Sequence, residues 1–197
     1  MPSAARVVAS GIRPAWPHSA PARHTFPFSK RRGRVVHAES SITVNREAKE
    51  VFELVRDPSN HWRWRDDVTS AQAASQGPVR VGSSCTWMLR SPLGKGVPME
   101  VEVVALEPGR RVEFRGTSGS MRVLFTYLFF EEEAGRTTVR RVADVECAPP
   151  MPEVLFRRRM RQRNSADLRG LKDYLEAPGA EQDLLDVPET AKSDTEA

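Results

Sequence analysis

The sequence predicts an α+β domain in which a curved antiparallel sheet closes around one long helix. Three observations carry this. Residues 97–147 alternate apolar and polar side chains over several successive runs, the runs are separated only by short turns rich in Gly and Pro, and a helical stretch follows at 152–176. A strand repeats every two residues, so alternation marks a sheet with one wet face, and short turns make consecutive strands antiparallel neighbours.

The elements follow in order. Ile42 and Val44 mark a first strand, Asn45 is positioned to cap a helix, and Ala48, Val51, Phe52 and Val55 have helical spacing up to Asp57-Pro58, which ends the run. A loop carrying Trp62 and Trp64 comes next. Strands are expected at Val68–Ala74 and Ser83–Arg90, joined through the turn-forming stretch Gly77-Pro78-Val79-Arg80-Val81-Gly82. In 97–103, Met99, Val101 and Val103 share one face, while Glu100 and Glu102 share the other. After the turn 107–110, Val112 and Phe114 repeat the pattern. A second turn at 116–119 leads to Met121–Phe130, and 131–136 turns the chain into Thr137–Cys147. The sum is seven strands, one short helical segment and the terminal helix.

Charge divides the chain into three unlike segments. Residues 1–38 hold seven Lys or Arg and no acid, residues 177–197 hold one Lys against six acids, and residues 39–176 carry 22 basic against 20 acidic groups. The overall charge of +4 therefore conceals a nearly neutral domain, without the basic field that nucleic-acid binding requires. Residues 39–176 are large enough for one hydrophobic core. The leader 1–38, with five Pro and no apolar periodicity, is expected to be disordered, as is the acidic tail. Two readings of the leader stay open. An Arg-rich, acid-free segment fits an organelle or plastid transit peptide, with Val35-Val36-His37-Ala38 as its cleavage site. A non-native extension, with the true start at Val35 or Val36, fits its Pro and His content better and implies a cytoplasmic protein. The leader has no apolar core of a secretory signal, and the chain has no apolar run long enough to span a membrane. No feature of the sequence specifies an oligomeric state.

The motif-bearing segments resemble the START-like, or SRPBCC, superfamily, which includes birch-pollen allergens, polyketide cyclase/dehydrase-like proteins and coenzyme-Q-binding proteins. Residues 39–52 resemble its opening strand and helix, and 57–64 (Asp57-Pro58-Ser59-Asn60-His61-Trp62-Arg63-Trp64) its aspartate-to-tryptophan loop. Val81-Gly82-Ser83 and 106–112 resemble the glycine-led strand and the strand-turn-strand that follow. The resemblance covers about 39–176 and implies the helix-grip fold, a seven-stranded sheet wrapped around the C-terminal helix with an apolar tunnel between them. Such motifs specify a scaffold more than a chemistry.

Inward strand positions and the facing helix stripe nominate the tunnel lining: Trp87, Leu89, Met99, Val101, Val103, Phe114, Phe125, Tyr127, Phe156, Met160 and Asn164. They fit a flat or chain-like apolar molecule held by Tyr127 and Asn164 as polar handles, and equally a filled core. Catalytic patterns are weak. Gly116-Thr117-Ser118-Gly119-Ser120 misses the nucleophile-elbow spacing, and Gly94-Lys95-Gly96 lacks the third glycine and the helix of a phosphate loop. His61 is the one histidine within 39–176, and Cys85 and Cys147 are isolated, so neither a metal, another cofactor nor a disulfide is expected. His61 with Asp66 and Asp67 reads as an exposed loop cluster rather than an acid/base pair. Asp144 and Glu146 are expected to face solvent. Arg157, Arg158, Arg159, Arg161 and Arg163 form a collar on the helix, read first as a solvated face and second as a surface for an anionic head group or acidic membrane.

Two functions compete. One is a carrier or sensor for a small hydrophobic molecule of lipid, polyketide or isoprenoid type, and the other is a cyclase- or dehydratase-like enzyme using the same cavity. An ionisable side chain turned inward, from among Asp144, Glu146, His61 and Arg122, separates them. A collapsed core serving protein contacts is the third possibility.

Overall fold

A computed structural model describes residues 34–74, 77–91, 94–132, 135–147 and 152–178; nearly all of the tail and of the leader lie outside them. Seven strands and two helices appear in the order β1 (Arg34–Val44), α1 (Ala48–Arg56), a 3-10 segment (Pro58–Arg63), β2 (Val68–Ala73), β3 (Ser84–Leu89), β4 (Val97–Glu107), β5 (Arg111–Ser118), β6 (Met121–Glu132), β7 (Arg136–Cys147) and α2 (Glu153–Glu176). All strands form one antiparallel sheet in the order β1-β7-β6-β5-β4-β3-β2. The meander expected from the turns is therefore present, and the first strand returns to pair with the last. The protein has the helix-grip fold, with α2 lying against β1 and β7.

Three boundaries differ from expectation. β1 starts at Arg34, five residues ahead of the expected domain, because Val36 and Ala38 continue the inward alternation while Val35 and His37 face out. The stretch proposed as a cleavage site is thus part of an edge strand, paired in register from Arg34↔Cys147 to Val44↔Thr137. His37 belongs to the domain as well, and its Nδ1 lies 2.8 Å from Asp144 Oδ1. Asn45 does not cap α1: the residue before the helix is Glu47, which provides no side-chain cap, and the Asn45 amide donates to Glu176 Oε1 at 2.8 Å. Finally, β5 continues through Gly116, Thr117 and Ser118. A Cβ on Gly116 would meet Val123 Cγ1 at 2.7 Å and Met99 Sδ at 2.9 Å, so this glycine serves packing across three strands, not the turn.

Two local devices position the inner face. Asp57 accepts from the Ser59 amide at 2.8 Å and the Ser59 hydroxyl at 2.7 Å. With Pro58 at the first position, it converts the aspartate-to-tryptophan loop into a 3-10 turn. That turn carries His61 and leads directly to Trp64 and Arg65, all three buried. On α2, Phe156, Asn164, Asp167, Leu168, Leu171 and Leu175 form the buried stripe. The helix approaches the 3-10 segment closely at Gly170, where a Cβ would lie 2.1 Å from the Trp64 carbonyl oxygen.

Substituting Gly170→Ala should therefore force α2 and the Trp64 backbone apart. We expect a loss of about 1–3 kcal/mol, the usual cost of overpacking, measured as a lower urea midpoint with an unchanged m-value.

Candidate functional site

All eleven sequence-nominated residues belong to the interior. Trp87, Met99, Val101, Val103, Phe114, Phe125, Tyr127, Phe156 and Asn164 are buried, while Leu89 and Met160 are half-buried against the same core. Register groups them further: Phe114, Phe125, Ala143 and Ala38 are successive cross-strand partners, and Val112, Tyr127, Arg141 and Ser40 form the next row. Asn164 hangs from α2 above them, its Nδ2 donating to the Ala38 carbonyl at 3.0 Å.

Between sheet and helix lies a charged cluster. Arg141 is 1 % exposed and Arg65 3 %. Arg141 Nε donates to the Tyr127 hydroxyl at 2.8 Å, and its Nη1 donates to Asn164 Oδ1. Asp167, also buried, places Oδ2 3.1 Å from Arg141 Nη1 and 3.4 Å from Arg65 Nε. Arg65 also donates through Nε (3.0 Å) and Nη2 (2.9 Å) to the two oxygens of Asp67, whose Oδ2 accepts in addition from Arg163. The guanidinium faces are covered by rings. Arg65 Cζ is 4.6 Å from the Trp87 ring centroid and 5.5 Å from that of Phe125; Arg141 Cζ is 4.8 Å from Phe125 and 5.5 Å from Tyr127.

The electrostatics follow from this packing. Burial alone would lower the Arg65 pKa, but Asp167 and Asp67 outweigh it and hold the guanidinium more firmly charged than usual. Burial would likewise raise Asp67, yet Arg65 and then Arg163 keep its carboxyl well below the ordinary range. Burial pushes the Tyr127 hydroxyl up, against the opposing charges of Arg141 and Arg65. Away from the cluster, burial and then Asp57 push the Cys85 thiol up to about 12, so it is an inert structural thiol.

His61 corrects the sequence reading most sharply. It is fully buried, with ring centroids of Trp64 at 4.7 Å, Trp87 at 5.0 Å, Phe114 at 5.1 Å and Tyr127 at 5.9 Å. Burial, then the Arg65 charge, lowers its pKa well below the usual value, so the ring is neutral. Its Nε2 lies 2.8 Å from the Val55 carbonyl. A carbonyl only accepts, so Nε2 carries the proton and Nδ1 presents a lone pair. Nδ1 has no hydrogen-bond partner among the described residues; nor have two other buried atoms of this segment, Trp64 Nε1 and Arg65 Nη1.

The remaining expectations divide. Asp66 and Arg122 are exposed, whereas Asp67 is held in the cluster. Ala143 and Val145 face in and Asp144 faces out, but Glu146 is buried, because its position on β7 lies between Val35 of β1 and Arg122 of β6. Arg157, Arg158, Arg159 and Arg161 are exposed as the solvated-face reading requires, and Arg163 departs from them by reaching Asp67. Among the described residues no cluster of three or more His, Cys, Asp or Glu could hold a metal, and no helix is long and apolar enough to cross a membrane. A cleft of about 720 Å³ opens between α2 and the start of β2, lined by Trp62, Trp64, Arg65, Arg90, Gly170 and Tyr174 among others; none of the eleven nominated residues lines it.

Of the interior polar residues, the sequence points to His61, but as part of an exposed loop cluster, and it does not point to Arg65, Arg141 or Asp167. Arg141 was legible, since it shares the parity of Val139, Ala143 and Val145, all of which are inward. So was Asp167, three residues beyond Asn164 and four before Leu171 on one stripe. Arg65 lies in a turn without periodicity, and nothing local announces its burial.

The family described as "Polyketide cyclase / dehydrase and lipid transport" matches residues 35–176. The chain belongs to this family. The match begins one residue into β1 and ends with α2, so it covers the whole grip. Solved structures agree on the fold. The Zhui aromatase/cyclase from Streptomyces sp. R1128 superposes with a TM-score of 0.59 at 16 % identity, covering 76 % of this chain and 95 % of its own. A START superfamily protein from Mycobacterium smegmatis gives 0.60 at 12 %, covering 71 % and 99 %. The protein TTHA0849 from Thermus thermophilus gives 0.57 at 19 %, covering 70 % and 94 %. No curated protein matches the chain.

Two outcomes should follow from the cluster. Replacing Asp167 by Asn leaves Arg65 and Arg141 buried with less compensation, and a loss of about 3 kcal/mol or more is expected, seen in urea unfolding. The second concerns pH. The unfolded chain protonates His61 below about pH 6.5 while the native ring stays neutral, so stability should fall as pH drops from there, with a slope approaching roughly 1.4 kcal/mol per pH unit. His61→Gln should remove that slope. The contribution of Asp67, whose native pKa is depressed, should be complete above about pH 4 and decline below it in both proteins.

Proposed function

We propose that this protein binds a small hydrophobic molecule bearing an oxygen function between its sheet and α2, as a carrier or sensor. The observation that carries the reading is the Arg65–Asp167–Arg141–Tyr127 cluster, enclosed by Trp87, Phe114 and Phe125. A scaffold built only for stability gains little from buried charges, which apolar residues of similar volume replace without loss. A group that must orient an oxygen inside an apolar cavity, in contrast, needs fixed donors among hydrophobic walls. The family's description and the aromatase/cyclase neighbour support the same class of ligand. The cleft beside Trp64 and Arg65 supplies a route, since those two residues border both the cleft and the interior, and the packed interior opens when α2 or the 3-10 segment yields.

A second reading, a cyclase- or dehydratase-like enzyme, is favoured by His61. An inward, neutral imidazole with a free Nδ1 lone pair, within ring-packing distance of the Tyr127 ring, has the form of a general base. In a dehydration Nδ1 would take a proton from carbon as a C=C bond forms and return it to the neighbouring hydroxyl, which departs as water.

Native mass spectrometry of the gently purified full chain, before and after organic extraction, tests both. A bound mass that disappears on extraction is expected; its absence, with no stabilisation by a panel of apolar ligands, would overturn the binding reading. If His61 acts as the base, the His61→Gln protein should retain a species heavier by one water than wild type. The same mass in both would leave a carrier.

A further inference from the structure

We infer that the interior site selects an anionic head group, a carboxylate on an otherwise apolar molecule, held by Arg65 Nη1 and Trp64 Nε1. The inference rests on the binding reading above and adds the chemistry of the head group.

Charge is the first argument. Asp67 is shared by Arg65 and Arg163, and Asp167 by Arg65 and Arg141. Three guanidinium groups therefore face two carboxylates, and His61, being neutral, does not change the balance. The buried pair, Arg65 and Arg141, is matched by Asp67 and Asp167, and the third guanidinium, Arg163, is 38 % exposed and meets solvent. The cluster as a whole thus carries a net positive charge on its solvent side, which attracts an approaching anion.

Donor inventory is the second. Guanidinium and indole nitrogens can only donate, so whatever satisfies Arg65 Nη1 and Trp64 Nε1, both buried and without a partner among the described residues, must accept. The two donors come from adjacent residues, and both residues also border the cleft. Geometry is the third. Trp87 and Phe125 lie over the Arg65 guanidinium, and Nε and Nη2 are committed to Asp67. What remains is the in-plane edge at Nη1, the direction from which a carboxylate oxygen binds guanidinium. The apolar body of such a ligand would continue against the same rings.

The test uses the full chain and four probes: decanoic acid, methyl decanoate, 2-naphthoic acid and methyl 2-naphthoate, with affinities from isothermal titration calorimetry at pH 7. The expected result is that at least one acid binds tenfold or more tighter than its methyl ester. Trp64→Phe, which removes the Nε1 donor, should shrink that ratio several-fold. Because the ratio is taken within one protein, any loss of stability from the smaller ring cancels. Equal affinity of acid and ester, a preference for esters, or a ratio unchanged by Trp64→Phe overturns the anionic head group while leaving apolar binding intact. If none of the four binds, the binding reading falls and this inference with it.

Discussion

Asp167 stands between two almost fully buried guanidinium groups, and much of the interior is arranged around that fact. An isolated buried charge is prohibitively costly, so Arg65, Arg141 and Asp167 can be placed only together. They come from three elements remote in sequence: the turn after the 3-10 segment, the middle of β7 and the second half of α2. Holding them within contact distance ties the helix to the sheet and the aspartate-to-tryptophan turn to both. Tyr127 and Asn164 extend the same constraint to β6 and, through the Ala38 carbonyl, to β1.

Around the charges the aromatic residues do two jobs. Trp87, Phe125 and Tyr127 cover the flat faces of the guanidinium groups, where hydrogen bonding is impossible, and so add attraction where water has been excluded. Trp87 and Tyr127, with Trp64 and Phe114, also close His61 into a ring-lined space in which the neutral imidazole is the favoured form. Beside this space α2 approaches the Trp64 carbonyl closely at Gly170, which also lines the cleft.

The polar cluster and the packed core work against each other energetically. Leu168, Leu171 and Leu175 on α2 each contribute roughly 2 kcal/mol by leaving water, whereas the neighbouring turn keeps three buried polar atoms without partners, each costing about 1–3 kcal/mol. The stabilising half of the helix and the costly half of the site therefore lie next to each other.

Periodicity alone was enough for the seven strands, the terminal helix and the eleven interior residues, because a two-residue repeat and a helical stripe are local consequences of which side chains leave water. It also contained Arg141 and Asp167, had parity been applied to charged residues as strictly as to apolar ones. What periodicity could not supply was partnership. His61 and Asp67 look like an exposed loop until β3 brings Trp87 over the imidazole and α2 brings Arg163 to the carboxylate. Val36 and Ala38 look like the end of a leader until β7 pairs with them. Burial of a loop or an edge strand depends on a surface contributed by other elements remote in the sequence, and only the tertiary structure brings that surface to them.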